Sequence, residues 1–311
     1  MTINKKFSFL ILIISAAIFI ISCKQEIIPL FNSPLENDIP QLRTVELEYT
    51  KAADLISSAQ FASMFGVSGN GLFFFDNGNI VKYDILLDKW TFNNKMGDPA
   101  YRRRVGEIIP NSDSLIIFAS PRQEDDYPNS YKYISINSNT LEEKVLPNTL
   151  PFNNGIYSMT HVAFQNKALL FLSTTFQIYE LNLDNLTGRY IVLDKMPIHW
   201  NMFAERYKYY AYIYSAKSPN IIKLNLYDYT LEQIPVPSYV LSREENSIQC
   251  GMVNGLFCIW SHASDITFCY DVENDEWCNG GNNFFKDHDP NNVISFTTDD
   301  AVYFKEWYAA Y

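Results

Sequence analysis

The sequence predicts an all-β chain folded as a single β-propeller of four-stranded antiparallel blades. Three observations carry that prediction. Aromatic residues are abundant, with 21 Tyr, 22 Phe and 5 Trp in 311 residues, and they sit in short runs bounded by Asn, Gly, Asp or Pro, the grammar of strands and turns. No long segment repeats apolar residues at the spacing of an amphipathic helix. One short pattern recurs five times, at a period that suits a propeller blade.

That pattern reads apolar, any, apolar, small polar, apolar, with a polar turn following. It occurs as Val81-Lys82-Tyr83-Asp84-Ile85, Lys132-Tyr133-Ile134-Ser135-Ile136, Tyr179-Glu180-Leu181-Asn182-Leu183, Ile222-Lys223-Leu224-Asn225-Leu226 and Phe268-Cys269-Tyr270-Asp271-Val272. The last positions, 85, 136, 183, 226 and 272, are separated by 51, 47, 43 and 46 residues. The small polar residue (Asp84, Ser135, Asn182, Asn225, Asp271) has a side chain short enough to bond nearby backbone and start the turn.

Each pattern strand is the third of four. The second strands are Leu72–Phe75, Leu115–Ala119, Leu169–Ser173, Tyr210–Tyr214 and Leu256–Trp260. Weaker fourth strands follow the turns at Lys89–Asn93, Glu143–Leu146, Gly188–Leu193, Leu231–Val236 and Glu276–Cys278. First strands precede each unit at Gln60–Val67, Arg104–Ile109, Ser158–Phe164, Asn201–Arg206 and Ile248–Val253. Val293–Phe304 adds one inner pair, and Thr44–Tyr49 is a strand without a unit of its own. Joining these two gives six blades, with five and seven as the alternatives. The N-terminal strand then closes the ring and removes an exposed sheet edge. The propeller domain spans residues 43–311.

The turn-plus-aromatic segments Asp88-Lys89-Trp90 and Asp275-Glu276-Trp277, with Thr140, Thr187 and Thr230 in the equivalent turns, resemble kelch repeats. The resemblance covers roughly residues 44–311 and is a divergent one. Exported kelch-like propellers include sugar isomerases and oxidases, so it implies an enzyme acting on a sugar or cell-envelope polymer as one reading of function.

The N-terminus has a different grammar. Lys5 and Lys6 form a short positive head and Phe7 to Ser22 is an apolar run, the layout of a cleaved secretory signal over residues 1–22. The run is shorter than the roughly 20 residues that span a bilayer. Ile20-Ile21-Ser22-Cys23 resembles the lipobox of bacterial lipoproteins, which implies that Cys23 is acylated and becomes the new N-terminus. Lys24 follows, rather than the aspartate associated with inner-membrane retention, so the resemblance implies the outer membrane. Residues 23–42 are then the lipidated cysteine and a polar tether.

Removing residues 1–22 takes two of the 24 basic side chains and none of the 35 acidic ones, leaving a net charge of −13. Such a surface repels nucleic-acid phosphates and anionic lipid headgroups, so membrane contact is expected through the acyl chains alone.

Cys250, Cys258, Cys269 and Cys278 all fall in the fifth unit, one per strand. An exported protein can form disulfides, and neighbouring strands allow 250–258 with 269–278, or 258–269 alone, the first choice. Spacings of 8, 11 and 9 lack the close pairs of a four-thiolate zinc site. Asp287-x-Asp289-x-Asn291 opens like a calcium loop, but Asn292 and Thr298 stand where glycine and glutamate belong. No metal or cofactor is expected, and no catalytic motif occurs.

Loops entering the first strands share one propeller face with the loops joining second to third strands. They gather Tyr101, Arg102, Arg103, Arg104, Tyr157, His199, Trp200 and His288, the candidate ligand-binding residues. Aromatic rings beside arginines and amides suit a glycan or peptide. The expectation is a monomeric, membrane-anchored binding or scaffolding module rather than an enzyme, its partner a glycan, a peptide or an envelope protein. A structural subunit of an envelope complex is the third reading.

Overall fold

The computed structural model describes residues 42–45, 47, 64–76, 79–93, 103–120, 131–151, 159–172, 177–193, 196, 202–216, 218–240, 248–262, 264–283, 293–297 and 302–306. Residues 42–311 form one compact unit.

Five four-stranded antiparallel blades follow one another along the chain. The first is β2 (Met64–Ser68), β3 (Gly71–Asp76), β4 (Asn79–Asp84) and β5 (Lys89–Asn93). The second is β6 (Arg103–Asn111), β7 (Ser114–Ser120), β8 (Lys132–Asn137) and β9 (Glu143–Thr149). β10 (Met159–Phe164), β11 (Lys167–Leu172), β12 (Gln177–Asn182) and β13 (Gly188–Ile191) make the third. β14 (Met202–Tyr207), β15 (Tyr210–Ser215), β16 (Asn220–Asn225) and β17 (Leu231–Pro235) make the fourth. The fifth is β18 (Ile248–Val253), β19 (Leu256–Ser261), β20 (Ile266–Asp271) and β21 (Glu276–Asn282). β1 (Arg43–Thr44) joins β21, and β22 (Val293–Thr297) pairs with β23 (Val302–Glu306).

Second strands read as unbroken apolar runs because neighbouring blades cover both of their faces. β11, β15 and β19 are buried at every position after the first, while β13 is exposed at its first three. The core is divided accordingly. One apolar cluster joins blades one and two through Phe73, Phe75, Ile108 and Ile117. A second joins blades two and three through Phe118, Tyr133, Leu170 and Leu172. A third joins blades three and four through Phe171, Ile178, Ile213 and Leu224.

The turn from third to fourth strand is the same in every blade. An Asx side chain accepts the backbone N–H groups of the residues that follow: Asp84 from Leu86 and Leu87, Asn137 from Asn139 and Thr140, Asn182 from Asp184 and Asn185, Asn225 from Tyr227, and Asp271 from Glu273 and Asn274. Four positions past each Asx, the chain enters the left-handed region at Asp88, Leu141, Leu186, Tyr229 and Asp275, with φ between 47° and 61°. None of the five is glycine, so the packing of each turn offsets roughly 1–2 kcal/mol of steric cost. The N–H after each Asx donates to the second residue of the preceding hairpin turn: Ile85 to Asn70, Ser138 to Asp113, Leu183 to Asn166, Leu226 to Tyr209 and Val272 to Gly255.

This geometry corrects the sequence register in the second blade. Ser135 lies inside β8, opposite Ile116 and Lys144, and Asn137 starts the turn. A strand pattern of period two is unchanged by a slip of two residues, so alternation alone could not separate Ser135 from Asn137.

First strands pack in sequence, β2 on β6, β6 on β10, β10 on β14, β14 on β18 and β18 on β22, with β22 also against β2. The expected six blades are therefore corrected to five, plus the two-stranded β22–β23 sheet. Among the described residues, no N-terminal strand joins that sheet. β1 runs parallel to β21, Arg43 opposite Cys278 and Thr44 opposite Asn279, as a fifth strand on the outer edge of the fifth blade. Side-chain complementarity explains the choice. Arg43 reaches Asp271, Glu276 and Cys278, while Val45 and Leu47 pack with Cys258, Trp260, Cys269 and Cys278.

Candidate functional site

The candidate ligand-binding residues Tyr101, Arg102, Tyr157, His199, Trp200 and His288 lie outside the described residues, as do Cys23 and the Asp287–Asn291 loop. Of Arg103 and Arg104 the backbone is described: they begin β6, opposite Ser120 and Ala119. Those candidates thus add no side-chain geometry, and the described side chains of the loop-rich face, Ser218, Ser264 and Asn283, bond the backbone of their own loops. The opposite face, formed by the turns joining first to second and third to fourth strands, is described in every blade.

On that turn face, blades three and four bring four aromatic rings together. Phe164 ends β10, Tyr209 sits in the β14–β15 turn, Tyr210 opens β15, and Tyr227 follows the Asx residue Asn225. Tyr227 is 61% exposed and Tyr209 40% exposed. Phe164 meets Tyr227 edge-on at 5.0 Å between centroids, Tyr209 lies 5.8 Å from Tyr227, and Tyr209 and Tyr210 are 4.4 Å apart. Lys223 places its ammonium 4.7 Å from the centre of the Tyr210 ring, which holds that ring by cation–π attraction. The backbone explains why two tyrosines stay exposed. Tyr209 is the second residue of a tight turn and its carbonyl accepts from Leu226, while Tyr227 donates its own N–H to Asn225. Both backbones are fixed with their rings on the outside.

Polar groups surround the rings. The Gln165 amide reaches the Tyr227 hydroxyl at 3.4 Å, and Asn166 donates to Asp184 at 2.8 Å. Further along the face, Tyr207 and Lys208 both donate to Glu273, at 2.6 and 2.7 Å. Glu273 is held below the usual carboxylate range by the Lys208 and Tyr207 hydrogen bonds, and Tyr207 is raised because its hydroxyl proton is held in the hydrogen bond to Glu273.

Inside the third blade, Glu180 accepts from Tyr229 and Arg189, and the Lys167 ammonium contacts Glu180 at 3.5 Å. Lys167 also donates to Leu226 O at 2.8 Å and Tyr229 at 2.7 Å, so Lys167, Glu180 and Tyr229 tie blade three to blade four. A cleft of about 290 Å³ opens between blades two and three, lined by residues including Asn111, Leu146, Asn148 and Asp184. Asn111 and Asn148 spend their amides on turn carbonyls of the third blade, Leu183 and Asn185.

Among the described residues, Asp271, Glu276 and Cys278 bring ligand atoms within 4.8 Å of one another, close enough to hold a metal ion. Their cation is Arg43, whose guanidinium contacts all three. The donor set is thus filled by the protein itself.

The four cysteines of the fifth blade are all buried. Cys258 stands directly opposite Cys269, and Cys269 opposite Cys278, in one row across β19, β20 and β21. In β18 that row is continued by Gly251, not by Cys250, which is opposite Ile259. Cys250 therefore projects from the other face of the blade, and the 250–258 pairing is corrected on that ground.

Sequence reasoning placed the ligand residues only on the loop-rich face and missed the aromatic group. The available signal was an aromatic beside each turn of the fourth unit, Tyr209 and Tyr227, at positions the repeat already marked as exposed.

No family model matches the sequence, and no curated protein matches it. Among solved structures, the extracellular domain of BT4673 from B. thetaiotaomicron is 11% identical with a TM-score of 0.48, covering 74% of this chain and 29% of that one. The chain thus spans under a third of that longer protein. The structure of YjhT is 9% identical with a TM-score of 0.53, covering 71% of this chain and 84% of that one. What the chain shares with YjhT at that identity is the fold, a β-propeller with four-stranded blades.

Proposed function

We propose that this chain is an exported lipoprotein whose propeller binds a glycan on its turn face, at Phe164, Tyr209 and Tyr227. The observation that carries the reading is the exposure of Tyr209 and Tyr227 beside Phe164. Pyranose rings present an apolar C–H face that stacks on aromatic rings, while their hydroxyls need directed donors and acceptors at the rim. Gln165, Asn166, Asp184, Lys208 and Glu273 supply both kinds. The mature net charge of −13 favours neutral or cationic sugars over uronates or sialosides.

The test is a glycan array probed with the whole mature protein, followed by titration of the best ligand against Tyr227→Ala. The variant is expected to weaken binding by about 3- to 10-fold, the worth of one stacked ring. Equal affinity of both proteins for the ligand would overturn the site.

Membrane attachment rests on Lys5, Lys6, the apolar run to Ser22 and the Ile20–Cys23 segment. Wild-type protein is expected in the membrane fraction and labelled by radioactive palmitate. Cys23→Ala should carry no label, because no other residue matches the acylation pattern. A labelled Cys23→Ala protein would refute the anchor.

A further inference from the structure

The fifth blade holds three thiols in one row, Cys258, Cys269 and Cys278, and the backbone distinguishes the two neighbouring pairs. The Val272 N–H donates to Gly255 O at 3.0 Å, which makes Gly255 and Val272 a hydrogen-bonded pair. Pairs alternate along an antiparallel ladder. Leu256/Asp271 is then non-hydrogen-bonded, Phe257/Tyr270 hydrogen-bonded and Cys258/Cys269 non-hydrogen-bonded. Cys269 therefore turns its own N–H and C=O away from Cys258 and towards Cys278, which makes Cys269/Cys278 the hydrogen-bonded pair. Side chains approach more closely at non-hydrogen-bonded positions, and a disulfide needs Cβ atoms about 3.5–4.5 Å apart.

The sulfurs follow the backbone. Cys258 Sγ lies 2.9 Å from Cys269 Sγ. Cys278 Sγ is instead engaged by the Arg43 guanidinium at 3.3 Å. We infer that Cys258 and Cys269 form a disulfide between the two central strands of the fifth blade, and that Cys278 and Cys250 remain thiols.

In the reaction the two cysteines give up two protons and two electrons. An exogenous disulfide, such as oxidised glutathione or an oxidase disulfide of the export compartment, accepts them and leaves as two thiols. The order of events follows from burial. Cys258 and Cys269 are wholly shielded in the folded ring, beneath Val45, Leu47 and Val302. The bond therefore forms before β1 and β22–β23 cover the blade. Once covered, it resists reductants that cannot enter.

The experiment isolates the mature protein from the cell envelope, denatures it without reductant in the presence of an alkylating agent, and maps the thiols after cleavage at aspartate. Asp265, Asp271 and Asp275 place Cys269 and Cys278 on separate fragments, apart from Cys258. Cys250 and Cys278 are expected to be alkylated at once, and Cys258 and Cys269 only after reduction. Cys278→Ser should leave the crosslink intact, while Cys269→Ser should abolish it and expose Cys258 to the reagent. A crosslink between Cys269 and Cys278, or alkylation of all four before reduction, would overturn the assignment. None of these outcomes depends on whether the turn face binds a glycan.

Discussion

Replacing Asp271 with alanine is expected to lower stability by about 2–4 kcal/mol, because a largely buried carboxylate with several charge-assisted partners is lost. Its side chain is 10% exposed. One oxygen accepts the N–H groups of Glu273 and Asn274, at 3.0 and 3.1 Å. The other accepts from the Asn274 amide at 2.8 Å and from Arg43. The change therefore opens the last Asx turn and releases β1 from the fifth blade together. Asp84→Ala is the internal control. Its carboxylate holds the same turn in the first blade, and the expected loss is only about 1 kcal/mol, a single cap's worth. Equal losses in thermal unfolding would show that Arg43 adds nothing at Asp271.

The pH dependence follows with a definite sign. Burial alone would raise the Asp271 carboxyl, but the Asn274 side chain, the Asn274 and Glu273 backbone and Arg43 together hold it below the usual aspartate range. A group depressed in the folded state stabilises fully above its unfolded value, about 3.9, and loses that contribution as pH falls through the folded value. Asp271→Asn keeps a turn acceptor and removes the charge. Its deficit relative to wild type should be present at pH 7 and shrink steadily below about pH 4. A deficit unchanged at pH 3 would mean that the charge is not what stabilises the edge.

Gly66→Val and Gly251→Val are the second pair of large effects. Adjacent blades touch through their innermost strands, and two glycines make room for that approach. A Cβ on Gly66 would lie 2.4 Å from Cβ of the buried Ile108 in the second blade. On Gly251 it would lie 2.5 Å from a Val302 methyl and 3.0 Å from Thr297 Oγ1 in the β22–β23 sheet. Ile108 meets the new atom at its branch point, so a rotamer change cannot relieve the clash and the blades must separate. Overpacking of this kind costs about 1–3 kcal/mol and rises where backbone must move. We expect Gly66→Val at the upper end of that range or beyond, read as a lower denaturation midpoint. Gly69→Val is the comparison at a site with open space, where only the positive φ of 53° opposes the side chain. A larger loss at Gly69 than at Gly66 would refute the close-approach argument.

Much of the blade was legible because strand burial has a simple period. Runs such as Leu169–Leu172 and Phe257–Trp260 are apolar without a break, which only a strand covered on both faces requires. The turn chemistry was legible as well, since four of the five Asx residues occupy the expected position. The fifth, Asn137, was missed because Ser135 satisfies the same alternation two residues earlier.

Cysteine geometry was legible in part. Spacing placed Cys258 opposite Cys269, but that Cys250 faces away depends on the register Gly251↔Cys258, which a one-residue shift would reverse. The aromatic group on the turn face was not legible, because Phe164 comes from one blade and Tyr209 and Tyr227 from the next.

Local sequence was enough for the local units: strands in fours, each third strand ending in an Asx turn. Those features follow from composition, alternation and hydrogen bonds between near neighbours. Where the leftover strands go depended on contacts between distant parts of the chain. Val45 and Leu47 mark a strand edge without naming its partner, and any sheet edge offers the same backbone donors and acceptors. The partner was chosen by Arg43, which finds Asp271, Glu276 and Cys278 together only on the outer edge of the fifth blade. That choice gives five blades and a two-stranded sheet, where counting strands had suggested six.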